Sequence, residues 1–169
     1  MAILTFDTID STNNYLKLHA NSLLHFTIVR ARFQKAGRGQ LMRQWQSHPN
    51  ENLLVSFLIK DFRRYSTVKA IEAAFIQFCQ SFFKHYGIVV EHKLPNDLMV
   101  NGKKIAGMLI ETKQLENTLQ YVILGVGLNI NQTSFDHLPS ATSLAILTKK
   151  TYPIDILFDH FVEVCSPLK

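Results

Sequence analysis

Between positions 93 and 112 the chain reads KLPNDLMVNGKKIAGMLIET, which sets an Asn-Asp pair and two adjacent lysines around one tight turn. On their own Asp97, Lys103 and Lys104 read as solvated hairpin residues; beside a cleft they would bring charge to one spot. Asn101-Gly102 between apolar segments signals a type I′ hairpin, because both turn positions require positive φ. Pro95 fixes its own φ and biases Leu94 toward an extended conformation, so a strand over 88–94 ends there and leaves Asn96 and Asp97 at its mouth. After the turn, Lys103 and Lys104 point to opposite sides of the second strand; one can face a cleft while the other stays in water.

Three further segments carry groups of the same kind. Residues 34–45, QKAGRGQLMRQW, form a loop with two glycines, two arginines and the single tryptophan of the chain. Glycines let a backbone approach a ligand closely, and successive N–H groups there make a concavity suited to an anion. Arg38 and Arg43 offer planar donor forks, and Trp45 a face on which a flat ring can stack. Asp10-Ser11-Thr12-Asn13 precedes an apolar-periodic stretch, so Ser11 or Asp10 caps a short helix over 12–20. Residues 124–131, LGVGLNIN, read as an apolar strand with glycines where a ligand can press on the backbone and Asn129 at the polar end. Taken singly, each segment also has a plain structural use as a solvated turn, a mobile loop or a cap.

The elements that must position these groups read as an α+β domain. Strands are expected at 2–8, 26–33 and 53–60, then at 88–93, 98–101, 104–112 and 119–130. Ser66 can cap a long helix whose apolar positions Val68, Ile71, Phe75, Phe78, Phe82 and Tyr86 recur every three or four residues, with Gly87 where a stop belongs. A last amphipathic helix is expected over 154–165, after Tyr152-Pro153. Consecutive strands after the long helix imply an antiparallel meander packed against helices on one face.

Composition bounds the rest. A chain of 169 residues, 47% apolar, suits one domain with a full core. No run approaches a membrane span and no leader pattern opens the chain. Cys79 and Cys165 are too few for a disulfide framework, and both read as reduced packing residues of a cytoplasmic protein. The seven histidines show no ligand spacing, so no structural metal is expected. A net charge of +5 favours acidic partners. The basic residues are dispersed, however, and no helix-turn-helix or zinc-finger pattern precedes the domain, so no DNA-binding module is expected.

In this order and at these separations, the four chemical segments resemble the catalytic domain of biotin protein ligases, enzymes that attach biotin to a carrier lysine. The resemblance rests on the Asp-Ser-Thr-Asn helix start, the Gln-x-x-Gly-Arg-Gly loop ending in Arg-x-Trp, the Pro-Asn-Asp to Ala-Gly hairpin and the Gly-x-Gly-x-Asn strand, across residues 5–150. It implies a mixed, largely antiparallel sheet packed against helices, of the class II synthetase-like kind. It also implies ATP and Mg²⁺ as co-substrate and activator, and biotin as the acid made into biotinyl-5′-adenylate before transfer.

By the same resemblance Lys104 bridges the biotin carboxylate and the α-phosphate, and Arg38 closes over both. Arg43 and Trp45 match the positions that hold the triphosphate and cover adenine, Asn96 and Asn129 the nucleotide-side asparagines, and Asp97 a carboxylate linked to magnesium or to the loop. Ser11, Thr12, Asn13 and Gln34 match residues that pair with the ureido ring, while Gly39 and Gln40 belong to the closing loop and Gly107, Met108 and Leu109 to the hairpin wall. The implied partner is the biotin carboxyl carrier domain of a carboxylase, and pairing of an edge strand offers a route to a homodimer.

The chain departs from the family pattern in three places. Gln40, Leu41 and Met42 stand where the loop has an arginine and a glycine, Leu94 where tryptophan is common, and the chain ends before the small C-terminal β-barrel that most relatives carry. The expected organisation is thus one catalytic domain over 1–169, without an N-terminal DNA-binding module and without the barrel. Lipoate ligases and octanoyl transferases resemble the same fold, and a non-catalytic biotin- or nucleotide-binding domain is the other alternative.

Overall fold

The computed structural model describes residues 1–65, 67–135, 138 and 140–169, with Met42 through its backbone only. In chain order the elements are strand Ala2–Ile9 (β1), helix Thr12–His19 (α1), strands Thr27–Gln34 (β2) and Asn52–Ile59 (β3) and helix Val68–His85 (α2). Strands Glu91–Lys93 (β4), Asp97–Val100 (β5), Lys103–Leu115 (β6) and Thr118–Asn129 (β7) follow, then helices Leu144–Thr148 (α3) and Ile154–Val164 (α4). The strands form one sheet in the order β1-β2-β3-β7-β6-β5-β4. β1 and β2 run parallel, as the intervening α1 crossover permits, and the other pairs are antiparallel. The expected mixed, largely antiparallel sheet with its meander is present. Both hairpin turns of β5–β6 and β6–β7 use two residues of positive φ, Asn101-Gly102 and Glu116-Asn117, the geometry that matches strand twist.

Helices cover both faces of the sheet, not the single face expected from sequence. In β3 and β7, side chains alternate between two apolar environments. Leu53, Val55, Phe57, Val122, Leu124 and Val126 pack with α2 and α4, whereas Leu58, Tyr121 and Ile123 pack with Leu16 and Ala20 beside α1. Every residue of β3 is buried. Strands apolar on both faces read as continuous runs, and NLLVSFLI is such a run. The single polar residue within its middle, Ser56, already marks the face that turns to the site.

Local signals resolve the boundaries. Ser11, not Asp10, supplies the α1 cap, its hydroxyl accepting from the Asn14 amide at 3.4 Å. Ser66, the expected α2 cap, lies outside the described residues; the Thr67 hydroxyl accepts from the Ala70 amide at 3.1 Å. Gly87, φ 79°, ends α2 in the left-handed region, and the Ile88 amide reaches back to the Phe83 carbonyl. The expected strand at 88–93 shortens to Glu91–Lys93, and α3 has no counterpart in the sequence reading. Cys79 and Cys165 are buried free thiols, and burial pushes both up in pKa. Among the described residues no helix is long and apolar enough to cross a membrane.

Two histidines make folding sensitive to acid. His160 sits between α2 and α4, its Nδ1 3.0 Å from the Tyr86 hydroxyl and its ring 4.4 Å from that of His85. Burial lowers its pKa below the ordinary 6.5, with His85 acting the same way and Glu163 opposing. Burial likewise lowers His25, whose Nδ1 accepts from the amides of Lys60 and Asp61. A depressed folded pKa means that the unfolded chain takes up protons first. The stabilisation is therefore complete above the ordinary value and is lost as pH falls through the lowered ones. Thermal melts between about pH 7.5 and 5.5 are expected to show a falling Tm, and His160→Gln to flatten part of that slope.

Candidate active site

Four elements bring the chemical segments to one place on the α1 face. A cavity of 450 Å³ opens there between the start of α1, the loop after β2, the β5–β6 hairpin and the far end of β7. All sixteen residues singled out by sequence line it: Ser11, Thr12, Asn13, Gln34, Arg38, Gly39, Gln40, Arg43, Trp45, Asn96, Asp97, Lys104, Gly107, Met108, Leu109 and Asn129.

One end is a buried polar nest. Ser11, Thr12 and Asn13 are each no more than 4% exposed. Gln34 Oε1 accepts from the Thr12 amide at 2.7 Å, and Ser56 Oγ donates to Asn13 Oδ1 at 2.6 Å and lies 2.7 Å from Thr12 Oγ1. Asn13 Nδ2 in turn donates to the Leu109 carbonyl and to Glu111 Oε2. These groups hold one another in fixed orientations. Asn13 fits because Gly125 lies beneath it: a Cβ on Gly125 would stand 2.0 Å from Asn13 Oδ1.

Lys104 lines the cavity because of a bulge. Across β5–β6, Leu98 pairs with Ala106 and Met99 with Lys104, so Ile105 opposes no residue. Ile105 and Ala106 both enter the core with α2 and α4. Unbroken alternation would put Lys104 on the same face as Ala106; the extra residue turns it onto the face of Gly107 instead. Its Nζ pairs with Asp97 at 2.7 Å and lies 5.3 Å from the Trp45 ring centroid. Its backbone is fixed as well, the amide donating to the Ser140 carbonyl and the carbonyl accepting from the Thr142 amide. Lys103, at the turn, is exposed.

The loop after β2 folds back on itself through Gly39 to Arg43 and Trp45 to Gly37 backbone hydrogen bonds. This lays the indole of Trp45 across the paired glycines Gly107 and Gly127, where any Cβ would collide with the ring at 2.8 Å or less. Trp45 Nε1 is buried and meets no acceptor among the described residues. Arg38 donates to Asn14 Oδ1 at 2.8 Å and to Glu111 Oε2 at 3.1 Å, with its Nη2 3.1 Å from Glu111 Oε1. Arg43 stays exposed at the rim.

Several expected residues take part through the backbone. The Met108 side chain packs in the opposite-face core, leaving its main chain at the cavity wall, where its amide and carbonyl bond Asn96. Asn129 Nδ2 donates to the carbonyls of Thr142 and Lys104 and so shapes the wall. Asp97 engages Lys104 rather than the loop. Sequence reasoning missed Ser56, Asn14 and Glu111. Only Ser56 left a signal, as a small polar residue in an apolar run, since such a group enters a core only with partners.

Comparison with known proteins gives this arrangement a context. A model of the Biotin/lipoate A/B protein ligase family matches residues 5–129. The "Bifunctional ligase/repressor BirA" of Bacillus spizizenii is 34% identical over 132 residues, which are 77% of this chain and 41% of that protein. The "Biotin--[acetyl-CoA-carboxylase] ligase" of Paracoccus denitrificans is 29% identical over 127 residues, 72% of this chain and 51% of that one. The chain thus spans about half the length, or less, of these curated relatives. A biotin protein ligase from Aquifex aeolicus, solved in complex with biotin and ATP, superposes with a TM-score of 0.85 at 24% identity, over 99% of this chain and 69% of that one.

Proposed function

Because the chain belongs to the biotin/lipoate A/B protein ligase family, we propose that it activates biotin with ATP and passes the biotinyl group to a lysine of a carrier domain. The observation that carries the reading is the joining, in one cavity, of a prebuilt polar nest at Ser11, Thr12 and Asn13 with the ammonium of Lys104. A fused ureido ring needs several donors and acceptors, and each one left unmatched costs roughly 1–3 kcal/mol. The dithiolane of lipoate needs almost none, so the nest favours biotin.

In the first step a carboxylate oxygen of biotin attacks the α-phosphorus of ATP, and pyrophosphate leaves. Lys104 neutralises charge on the attacking oxygen and on the phosphate, which repel one another on approach. Asp97, 2.7 Å away, keeps its ammonium in place. Trp45 and the loop cover the reacting centre and keep water from the anhydride. In the second step the carrier amine attacks the biotinyl carbonyl, an amide forms, and AMP leaves.

Asp97 is the one carboxylate among the described cavity-lining residues, and no cluster of three metal-ligating side chains occurs among the described residues. That fits Mg²⁺ arriving on the phosphates of ATP, where it would offset their charge, rather than an ion held by protein groups alone. The carrier is proposed to be an acidic biotin carboxyl carrier domain, drawn by the net charge of +5. A cytoplasmic setting fits two buried free thiols.

Biotin-dependent exchange of labelled pyrophosphate into ATP tests the reading without a carrier, because only a reversible adenylate produces it. Exchange with biotin and not with lipoate is the expected result. Exchange with lipoate alone would reassign the substrate, and none with either would leave a binding domain.

A further inference from the structure

Glu111 has no place in the chemistry above, yet it is the most heavily engaged carboxylate beside the cavity. Its Oε2 accepts from Arg38 Nη1 at 3.1 Å and from Asn13 Nδ2 at 2.9 Å, and Arg38 Nη2 lies 3.1 Å from Oε1 as an ion pair. Lys17 stands 3.6 Å from Oε1. It shares the β6 face of Gly107 and Leu109, and its side chain is 18% exposed. A charge-assisted hydrogen bond of this kind is about twice as strong as a neutral one.

The pair reaches across 73 residues of sequence and ties the loop to the sheet. Arg38 lies inside the folded-back loop, bridged to Gln44 next to Trp45. Whatever holds Arg38 therefore also holds the indole against Gly107 and Gly127. With Nη1 donating to both Asn14 and Glu111 and Nη2 beside Glu111, the charge and the end-on donors of Arg38 are already committed, so a substrate phosphate competes with that carboxylate for them.

On this basis, and resting on the ligase reading above, we propose that Glu111 is a positioning residue acting as an internal rival of the nucleotide: it parks Arg38 against α1 and releases it when ATP enters. The competition gives the test its sign. Glu111→Gln keeps an oxygen for Asn13 and removes the charge that restrains Arg38. In the pyrophosphate exchange assay it is expected to lower the KM for ATP about three- to tenfold, with kcat changed less than about threefold. In an Arg38→Ala background the same substitution is expected to leave the KM for ATP unchanged, because a rival acts only through what it competes for.

A merely stabilising salt bridge predicts the opposite, a raised KM. That result, or an equal effect in both backgrounds, would overturn the proposal while leaving the ligase reading intact. Wild type without biotin-dependent exchange would instead sink the ligase reading. A second readout needs no turnover: trypsin is expected to cut after Arg38 several-fold faster in Glu111→Gln than in wild type, provided that both melt alike. Equal cleavage would overturn the proposal whatever the activity.

Discussion

Lys104→Ala is expected to reduce biotin-dependent pyrophosphate exchange by about a hundred- to a thousandfold while the protein melts within a few degrees of wild type. The two halves of this expectation have separate causes. The ammonium is the cation that the cavity places against Asp97 and the Trp45 ring, and removing one preorganised charge from a reacting phosphate costs that much. The fold asks little of the side chain, which stands on the cavity face and not in the core, and an ion pair exposed by a quarter to a third contributes about 1 kcal/mol or less. The backbone bonds of Lys104 to Ser140 and Thr142 survive the substitution. Exchange at wild-type rate in the folded variant would remove Lys104 from the mechanism. Lys103→Ala supplies the contrast, since that side chain is exposed, and is expected to leave exchange unchanged.

Gly125→Ala should be the most damaging single methyl group at this site. Its Cβ would stand 2.0 Å from Asn13 Oδ1 and 2.8 Å from Asn13 Cγ, and Asn13 cannot swing aside cheaply. Three bonds hold its amide, to Ser56, the Leu109 carbonyl and Glu111, and the residue is 4% exposed. Displacing it strands buried polar partners, at about 1–3 kcal/mol, and removes one wall of the nest. Calorimetry is expected to show biotin binding weakened about a hundredfold, and the melting temperature should fall. Adding Asn13→Ala relieves the collision but still leaves its partners unmatched, so the double variant should recover only the part of the stability lost to the clash, and no biotin affinity. Undiminished binding in Gly125→Ala would mean that the nest is not where the vitamin sits.

The glycines, arginines and polar corner that line the cavity were legible in sequence because their types are unusual where they stand, whereas Met108, Leu109 and the roles of Thr12, Asn13 and Gln34 came only from the resemblance. Gly-Arg-rich loops, Pro-Asn-Asp corners and glycines inside an apolar strand all break local preference, and such breaks cluster at functional places. The hairpin turn was legible for the same reason, since Asn101-Gly102 admits few other conformations. What sequence left hidden depends on contacts between distant segments. Glu111 looks like any strand carboxylate until Arg38, 73 positions earlier, reaches it. The second helical face could not be seen from α1, whose apolar face is short; the unbroken apolar run of β3 was its one sign, and the reading still placed helices on a single face. Strand limits near 88–93 moved because the exposed Val89 and Glu91 gave no burial pattern to fix them.

The unpaired Ile105 makes the hairpin a reading frame. Two identical lysines sit side by side, and nothing in their own chemistry chooses between them; the choice belongs to the bulge that absorbs Ile105 between the turn and Gly107. The same letters in strict alternation would turn Lys103 to the face of Gly107 and hand the reaction the wrong amine. Tallying matched letters across relatives would not register such a change. Following the strand's pairing would.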